Sequence, residues 1–177
     1  AEIADKIRCV PLDFDKQLTG KEILEKHPTG IKYADLLRSY DKYPIFVDSR
    51  NKVLSMPPII NSQELGKVNE KTKDIFIECS GWDMNASEQV LNLIVTTLAD
   101  MEGEIYSVEI NYGNNKMITP NLEPEKREIK LEYINKVLGL DLKNKEAIEL
   151  LKRMNYDASG ADKIKVLIPR YRTDIWH

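Results

Sequence analysis

The stretch YPIFVDSRNKVLSMPPIINS, residues 43–62, decides the fold of the first part of the chain. Residues 43–47 form an apolar run typical of a strand, residues 48–52 supply a turn, and residues 53–55 begin a returning strand. The pair Pro57-Pro58 ends that strand, because neither proline offers an N–H to a β ladder. Two interpretations stay open for the proline pair: a wall that shapes a concave surface, or a plain strand exit.

Two capping boxes predict helices on either side of this hairpin. Thr19 and Glu22 open a short helix that ends at His27-Pro28. Asn85 and Glu88 open a longer helix with apolar residues at helical spacing up to Leu98, which ends near Met101. Two strand predictions complete this part: residues 75–79 as a buried strand, and residues 105–111 paired with 116–119 across a glycine turn.

A boundary is predicted at residues 119–124, which hold two prolines and show no periodicity. The charge balance also changes there: residues 120–177 carry 12 Lys and Arg against 10 Asp and Glu, and residues 1–119 carry 14 against 19. We therefore expect two domains, 1–119 and 120–177. The fold class is α+β, with a mixed sheet and packed helices first and a small α+β domain after it.

Composition restricts the classes of protein that fit. The 177 residues are 42% hydrophobic and 31% charged, with no apolar run long enough to span a bilayer. A net charge of −3 argues against a general polyanion-binding surface. The two cysteines, Cys9 and Cys79, form neither a metal-ligand spacing nor a disulfide framework. These features predict a cytoplasmic protein without a membrane segment.

Familiar catalytic motifs are missing from the sequence. It has no glycine-rich phosphate loop, no His-Glu-x-x-His and no nucleophile elbow. His27 lies beside a helix-ending proline and His177 is the last residue, so a surface or capping role is expected for each. Acid–base catalysis by histidine is therefore not predicted.

Glu78 is the unusual residue, because it interrupts the apolar run 75–79. Strand geometry would place Phe76, Glu78 and Ser80 on one face. A carboxylate among apolar neighbours loses hydration and needs a donor or a counter-charge. Two interpretations stay open: Glu78 reaches water at an edge, or it points into a pocket and accepts a hydrogen bond from a ligand hydroxyl.

A resemblance bears on that choice. The stretch 43–62 and the segments that follow it in order resemble the beta subunit of phenylalanyl-tRNA synthetase, of the archaeal and eukaryotic type. The matching segments are IFIECSGWD, LNLIVTTLA, YINKVLGLDL, LLKRMNYD and IPRYRTDIWH. The match covers nearly the whole chain and is weaker in the first forty residues. It implies that residues 1–119 are the C-terminal part of a tRNA-editing domain, which begins before the point that matches Ala1.

In that family, the editing domain hydrolyses tyrosine wrongly attached to the phenylalanine tRNA. The resemblance implies an editing pocket in which Glu78 recognises the tyrosine hydroxyl and Ser80 is a small polar neighbour. Ser55 is a pocket-lining position where bulk would block entry, and Phe46 and Asn61 also belong to the pocket. No residue is expected to act as a nucleophile, because water would attack the ester. The alternative is a non-catalytic structural or tRNA-docking module of the synthetase.

The resemblance also implies the rest of the expected setting. Residues 120–177 resemble the small domain, of the B-five type, whose fold is reminiscent of nucleic-acid-binding modules. Arg170, Tyr171 and Arg172 pair cations with an aromatic ring, which suits RNA contact; pairing of either arginine with Asp174 is the other interpretation. Expected partners are the phenylalanine tRNA and the alpha subunit, in a heterotetramer of two alpha and two beta chains. ATP and magnesium belong to the whole enzyme, and no cofactor or metal is expected here.

Overall fold

A computed structural model describes residues 1–175, and it divides into two compact units, Ala1–Phe76 and Ile77–His177. The prediction for His177 lies outside the described residues. The α+β class is confirmed, and every pairing between the named strands is antiparallel, in five small sheets rather than one mixed sheet. The predicted domain boundary at 119–120 lies inside the second unit and stays a prediction.

The first unit is built from short strands around two helices. A 3-10 turn, Ala34–Leu36, follows the second helix. In chain order the elements are β1 Glu2–Ile3, β2 Arg8–Cys9, β3 Leu18–Thr19, α1 Gly20–Lys26, α2 Pro28–Tyr33, β4 Lys42–Tyr43, β5 Phe46–Val47, β6 Val53–Met56 and β7 Ile60–Asn61.

Helix α1 begins at the predicted capping box. The Thr19 hydroxyl accepts from the Glu22 N–H at 3.0 Å, and the Glu22 carboxylate accepts from the Thr19 N–H at 2.9 Å. His27 ends α1 and caps α2, because its Nδ1 accepts from the Thr29 N–H at 3.2 Å. His27 is buried and its Nε2 lies 3.1 Å from the Leu12 carbonyl, so the capping role is confirmed and a surface position is wrong.

The predicted hairpin is present as β5 and β6. Asp48 makes the turn: its side chain accepts from the N–H groups of Arg50 at 2.9 Å and Lys52 at 2.8 Å. These backbone hydrogen bonds, with the Arg50 side chain, hold the pKa of Asp48 below its ordinary value. Residues 57–59 then turn the chain into β7, with the Ile59 N–H donating to the Met56 carbonyl at 2.8 Å. The prolines therefore serve as the exit from β6.

A single apolar cluster holds the first unit together. Met56 and Ile23 are completely buried in it, and burial at this level stabilises by roughly 1.5–3 kcal/mol for each large side chain. The buried members are Ala4, Ile7, Cys9, Leu18, Ile23, Leu24, Ala34, Leu37, Tyr43, Met56 and Ile59.

The second unit begins with a long helix and a hairpin, and continues with a three-stranded sheet and two helices. Its sheet has the order β10–β12–β11, so the last strand is central. The elements are α3 Met84–Asp100, β8 Val108–Tyr112, β9 Asn115–Thr119, β10 Glu125–Lys130, α4 Leu131–Leu138, α5 Asn144–Arg153, β11 Asp157–Gly160 and β12 Lys163–Ile168.

Two predictions for this unit need correction. Helix α3 is capped by Asp83, whose side chain accepts from the Ala86 N–H at 2.8 Å, so the predicted box at Asn85 starts the helix two residues late. Residues 75–79 do not form a strand, and Ile75 and Phe76 are exposed. An apolar run becomes a buried strand only when a neighbouring strand pairs with it, and none in the described chain does.

A second apolar cluster lies between the sheet and α5. Ile164, Val166 and Ile168 point inward from β12, and Ala147 and Tyr156 close the cluster from the helix side. Helix α4 ends where predicted, at Gly139, whose φ of +66° is the left-handed conformation that favours glycine at a helix end. None of the helices within residues 1–175 is long and apolar enough to cross a membrane.

Candidate functional site

Three of the five predicted pocket residues lie side by side in the first unit. Ser55 on β6 is the direct partner of Phe46 on β5 and of Asn61 on β7. Side chains of directly opposed residues in an antiparallel sheet share a face. Phe46, Ser55 and Asn61 therefore form one row across the sheet, which we call the cross-strand row.

The row combines an aromatic ring, a small hydroxyl and an amide. The Phe46 ring meets the ring of Phe76 edge-on, with centroids 5.4 Å apart and planes at 61°. Ser55 is half-buried, and the Asn61 amide donates to the Gly66 carbonyl at 3.1 Å. The row thus presents an aromatic end and an amide end with a small residue between them.

Gly66 supports this row and was missed at the sequence level. A Cβ at this position would lie 2.6 Å from the Asn61 Cβ and 2.6 Å from the Leu54 carbonyl oxygen. The loop after β7 therefore fits against the sheet only because residue 66 lacks a side chain. Its sequence signal was a lone glycine in a polar stretch, which by itself indicates only a turn.

Glu78 and Ser80 belong to the second unit, where both are exposed. The Ser80 hydroxyl donates to a Glu78 carboxylate oxygen, so the two side chains contact each other although they do not lie in a strand. Between them, burial and then the Glu78 charge raise the pKa of the Cys79 thiol. Within its own unit, Glu78 has the geometry of a carboxylate that reaches water.

The two predicted RNA-contacting arginines are both bonded within the second unit. Arg170 donates from Nε to the Glu123 carbonyl at 2.9 Å. Arg172 makes two bonds of 2.8 Å to Asp174 and one of 3.0 Å to the Met154 carbonyl at the end of α5. Its guanidinium also lies 4.8 Å from the centre of the Tyr156 ring. These contacts match the alternative in which an arginine pairs with Asp174.

The bidentate pair also changes the acidity of its members. Hydrogen bonds from Arg172 lower the pKa of Asp174 to about 2, and the same contact raises the pKa of Arg172 above its ordinary value. Tyr171, between the two arginines, is half-buried. In the described chain, the segment 169–174 therefore fastens the end of α5 and the start of β10 to the chain after β12.

A polar cleft of about 240 Å³ lies beside α3 in the second unit. Asn92 lines it at 2% exposure: its amide donates to the Asn121 carbonyl at 3.0 Å, and its Oδ1 has no partner among residues 1–175. None of the five predicted pocket residues lines this cleft. The lining residues are Asn85, Glu88, Gln89, Asn92, Glu125, Ile168, Pro169, Arg170, Arg172, Thr173 and Ile175.

No group of three or more His, Cys, Asp or Glu side chains is arranged to hold a metal ion in the part of the chain that the structure describes. The contacts above assign the cross-strand row to substrate contact rather than to metal chemistry. They also leave the chemical step without a histidine, because His27 is buried and engaged in capping.

Comparisons with known proteins give one consistent result. Residues 127–177 match the family described as the tRNA synthetase B5 domain. The phenylalanine–tRNA ligase beta subunit of Pyrococcus abyssi is 48% identical over 171 residues, covering 96% of this chain and 31% of that protein. The beta subunit of Methanocaldococcus jannaschii is 49% identical over 174 residues, covering 97% of this chain and 31% of that protein.

A solved structure agrees with the sequence matches. The crystal structure of an N-terminal fragment of the phenylalanyl-tRNA synthetase beta subunit from Pyrococcus horikoshii matches with a TM-score of 0.94 at 39% identity. The match covers 99% of this chain and 51% of that one. The chain thus spans about a third of the length of the curated relatives and half of the solved fragment. It belongs to the family of archaeal-type phenylalanyl-tRNA synthetase beta subunits.

Proposed function

We propose that this chain supplies part of an editing site that hydrolyses tyrosine wrongly attached to the phenylalanine tRNA. The cross-strand row carries the proposal, because sequence-distant residues 46, 55 and 61 come together on one face of a rigid small sheet. Such an arrangement suits recognition of a small aromatic molecule, which needs an apolar wall and a few fixed polar groups.

The physical need for such a site follows from the aminoacylation reaction. Tyrosine differs from phenylalanine by one hydroxyl, and an apolar pocket rejects an added hydroxyl poorly. A second site that requires the hydroxyl corrects the error. Hydrogen bonding of a hydroxyl to a charged group contributes about 1.5–3 kcal/mol, which is on the order of ten- to a hundredfold in preference.

Each residue has a role in this proposal. The edge-on rings of Phe46 and Phe76 form the apolar wall for the tyrosine ring, and Ser55 leaves the space that a larger side chain would fill. Glu78 accepts the tyrosine hydroxyl, with Ser80 orienting its carboxylate. Since Glu78 follows Phe76 by two residues, its Cα lies no more than about 7 Å from that of Phe76.

The reaction proposed is attack by water on the aminoacyl ester. The water oxygen forms a bond to the carbonyl carbon, the bond to the ribose oxygen breaks, and the released ribose oxygen takes the proton. Asn61 and the free hydroxyl of the terminal ribose position the water. No protein nucleophile is involved, which agrees with a row whose hydroxyl, Ser55, has no base among its direct strand partners.

The remaining expectations concern the whole synthetase. We propose that the complete beta subunit acts with an alpha subunit, in a heterotetramer of two alpha and two beta chains. It would act on the phenylalanine tRNA in the cytoplasm. ATP and magnesium serve the aminoacylation step of that assembly. Within this chain, residues 120–177 are proposed as the small domain after the editing domain.

A second candidate function is a non-catalytic structural or tRNA-docking module. The exposure of Glu78 favours it, since a solvated carboxylate discriminates weakly between ligands. The engagement of Arg170 and Arg172 in bonds to Glu123, Asp174 and Met154 favours the structural form of this candidate over RNA docking.

A binding experiment separates the two candidates. Tyrosine and phenylalanine are titrated into the 177-residue chain while amide resonances are followed by NMR. The editing proposal expects tyrosine to shift Ser55, Glu78 and Ser80 selectively, and expects Glu78→Gln to remove the preference over phenylalanine. Glu70→Gln, at an exposed carboxylate in the loop after β7, is the matched control. If neither amino acid perturbs these residues, the structural module is the better account.

A further inference from the structure

Helix α3 carries few charges for a helix at a protein surface. Of its 17 residues only Glu88 and Asp100 are charged, whereas five of the ten residues of α5 are charged. A surface helix ordinarily pairs one apolar stripe with a charged opposite face. The composition of α3 is that of a helix with protein on both sides.

One face of α3 packs within the second unit. Val95 is buried at 8% exposure and Asn92 at 2%, and the Asn92 amide fastens the helix to the Asn121 carbonyl. Leu91, Leu98 and Ala99 on the same side are half-buried. This face accounts for the ordinary amphipathic half of the helix.

The opposite face is apolar and exposed. Val90 is 47% exposed, Leu93 and Ile94 are 39% each, and Met101 just after the helix is 73%. Their spacing of three, four and eleven residues places them along one stripe. Thr97 completes the stripe, and its hydroxyl donates to the Leu93 carbonyl at 2.7 Å instead of to a group outside the helix. We call these five residues the outer stripe.

An apolar stripe of this length is not stable against water as a free surface. Insertion in a bilayer does not explain it, because no helix among the described residues meets the requirements for a membrane span. The remaining explanation is a covering protein segment.

We infer that the outer stripe is an internal interface, covered by a further segment of the same beta-subunit polypeptide that lies outside these 177 residues. The two curated relatives are matched over only 31% of their length, so most of such a subunit is available to cover it. The same fold also occurs at a TM-score of 0.94 within a solved chain of which 51% is matched. This inference does not depend on tyrosine editing.

Carbene footprinting tests the inference directly. The outer stripe is labelled in the 177-residue chain alone and in a full-length beta subunit that carries it, without the alpha subunit. We expect labelling of Val90, Leu93 and Ile94 to fall several-fold in the full-length subunit. Three results would overturn the inference: equal labelling in both proteins, protection of the short chain that grows with its concentration, or protection that requires the alpha subunit.

A charge substitution supplies a second readout. Leu93→Asp is expected to lower the melting temperature of the full-length subunit by several degrees and to leave that of the 177-residue chain unchanged. Gln89→Asp, an exposed position on α3 beside the outer stripe, is the control and should leave both proteins unchanged. If Leu93→Asp also leaves the full-length subunit unaltered, no segment covers the stripe.

Discussion

Helices α1 and α3 both begin with side-chain caps, yet they differ in what surrounds them. The seven residues of α1 place Ile23 and Leu24 in a core of eleven buried apolar residues supplied by the first unit alone. Among residues 77–119, which contain α3, only Asn92 and Val95 are buried. The difference shows that a capping signal locates a helix but does not say whether the same chain supplies its packing partners.

The comparison predicts opposite responses to truncation of apolar side chains. Met56→Ala, in the core of the first unit, is expected to reduce the free energy of unfolding by about 2–5 kcal/mol, because it leaves a cavity. Leu93→Ala, on the outer stripe, is expected to change it by no more than about 0.5 kcal/mol. Urea unfolding of the 177-residue chain measures both. Comparable losses for the two variants would mean that α3 is packed as tightly as α1.

Two glycines give a smaller contrast of the same kind. A Cβ at Gly30 would lie 1.9 Å from the Ile23 carbonyl oxygen, so Gly30→Ala must push α2 away from α1 and is expected to cost about 1–3 kcal/mol. Gly113 in the β8–β9 turn has no heavy atom near that position but has a φ of +59°. Gly113→Ala is expected to cost about 1–2 kcal/mol by backbone strain alone.

Thermal unfolding and a crystal structure of each variant distinguish these two causes. Displacement of α2 should accompany the loss in Gly30→Ala, and the hairpin of Gly113→Ala should keep its position. A Gly30→Ala protein with the wild-type melting temperature would show that the helices approach less closely than described.

The cap of α1 predicts a stability change of about 1 kcal/mol. Thr19→Ala removes the acceptor for the Glu22 N–H, and the loss of a capping side chain typically costs that amount. Bonds from Lys26 and from the Thr19 backbone lower the pKa of Glu22 to about 2 from 4.5. A depressed carboxyl pKa stabilises the folded state above its unfolded value and loses that effect as the pH falls from about 4.5 to about 2.

Unfolding curves at pH 7 and at pH 3 check this assignment. Wild-type protein should lose part of its stability at the lower pH, and Glu22→Gln should lose less. An equal loss in both proteins would place the pH dependence at other carboxylates.

The smallest expected effect concerns the clamp after β12. Arg172→Lys keeps the charge but loses the two-pronged bond to Asp174 and the bond to the Met154 carbonyl. We expect faster amide hydrogen exchange at the end of α5 and in residues 169–174, with little change elsewhere. Arg170→Lys, which loses one bond to Glu123, is the control. Unchanged exchange in the Arg172 variant would mean that the clamp does not hold α5.

Much of the fold followed from local signals in the sequence. The capping box at Thr19, the hairpin around Asp48 and the glycine stop at Gly139 each depend on residues close in the chain, and each is present as predicted. The buried strand at 75–79 was wrong because its pairing depends on distant residues, which periodicity does not reveal. The cap of α3 moved to Asp83 because an aspartate competes with an asparagine two residues later.

The candidate site was only partly accessible to sequence reasoning. The row of Phe46, Ser55 and Asn61 requires the register of three strands, which the resemblance supplied and periodicity alone did not. Gly66 was missed because its role is a close approach of two segments in space. The orphan Asn92 oxygen gave no signal, since an asparagine in a helix is ordinary until its burial is known.

Deacylation of tyrosyl-tRNA tests the central claim, a pocket that recognises tyrosine through Glu78. The rate is measured for a full-length beta subunit with its alpha subunit, on the phenylalanine tRNA charged with tyrosine or with phenylalanine. Glu78→Gln is predicted to reduce tyrosine release by about ten- to a hundredfold, as expected for the loss of a charged hydrogen bond. Glu70→Gln should have the wild-type rate. An unchanged rate in Glu78→Gln would contradict the account.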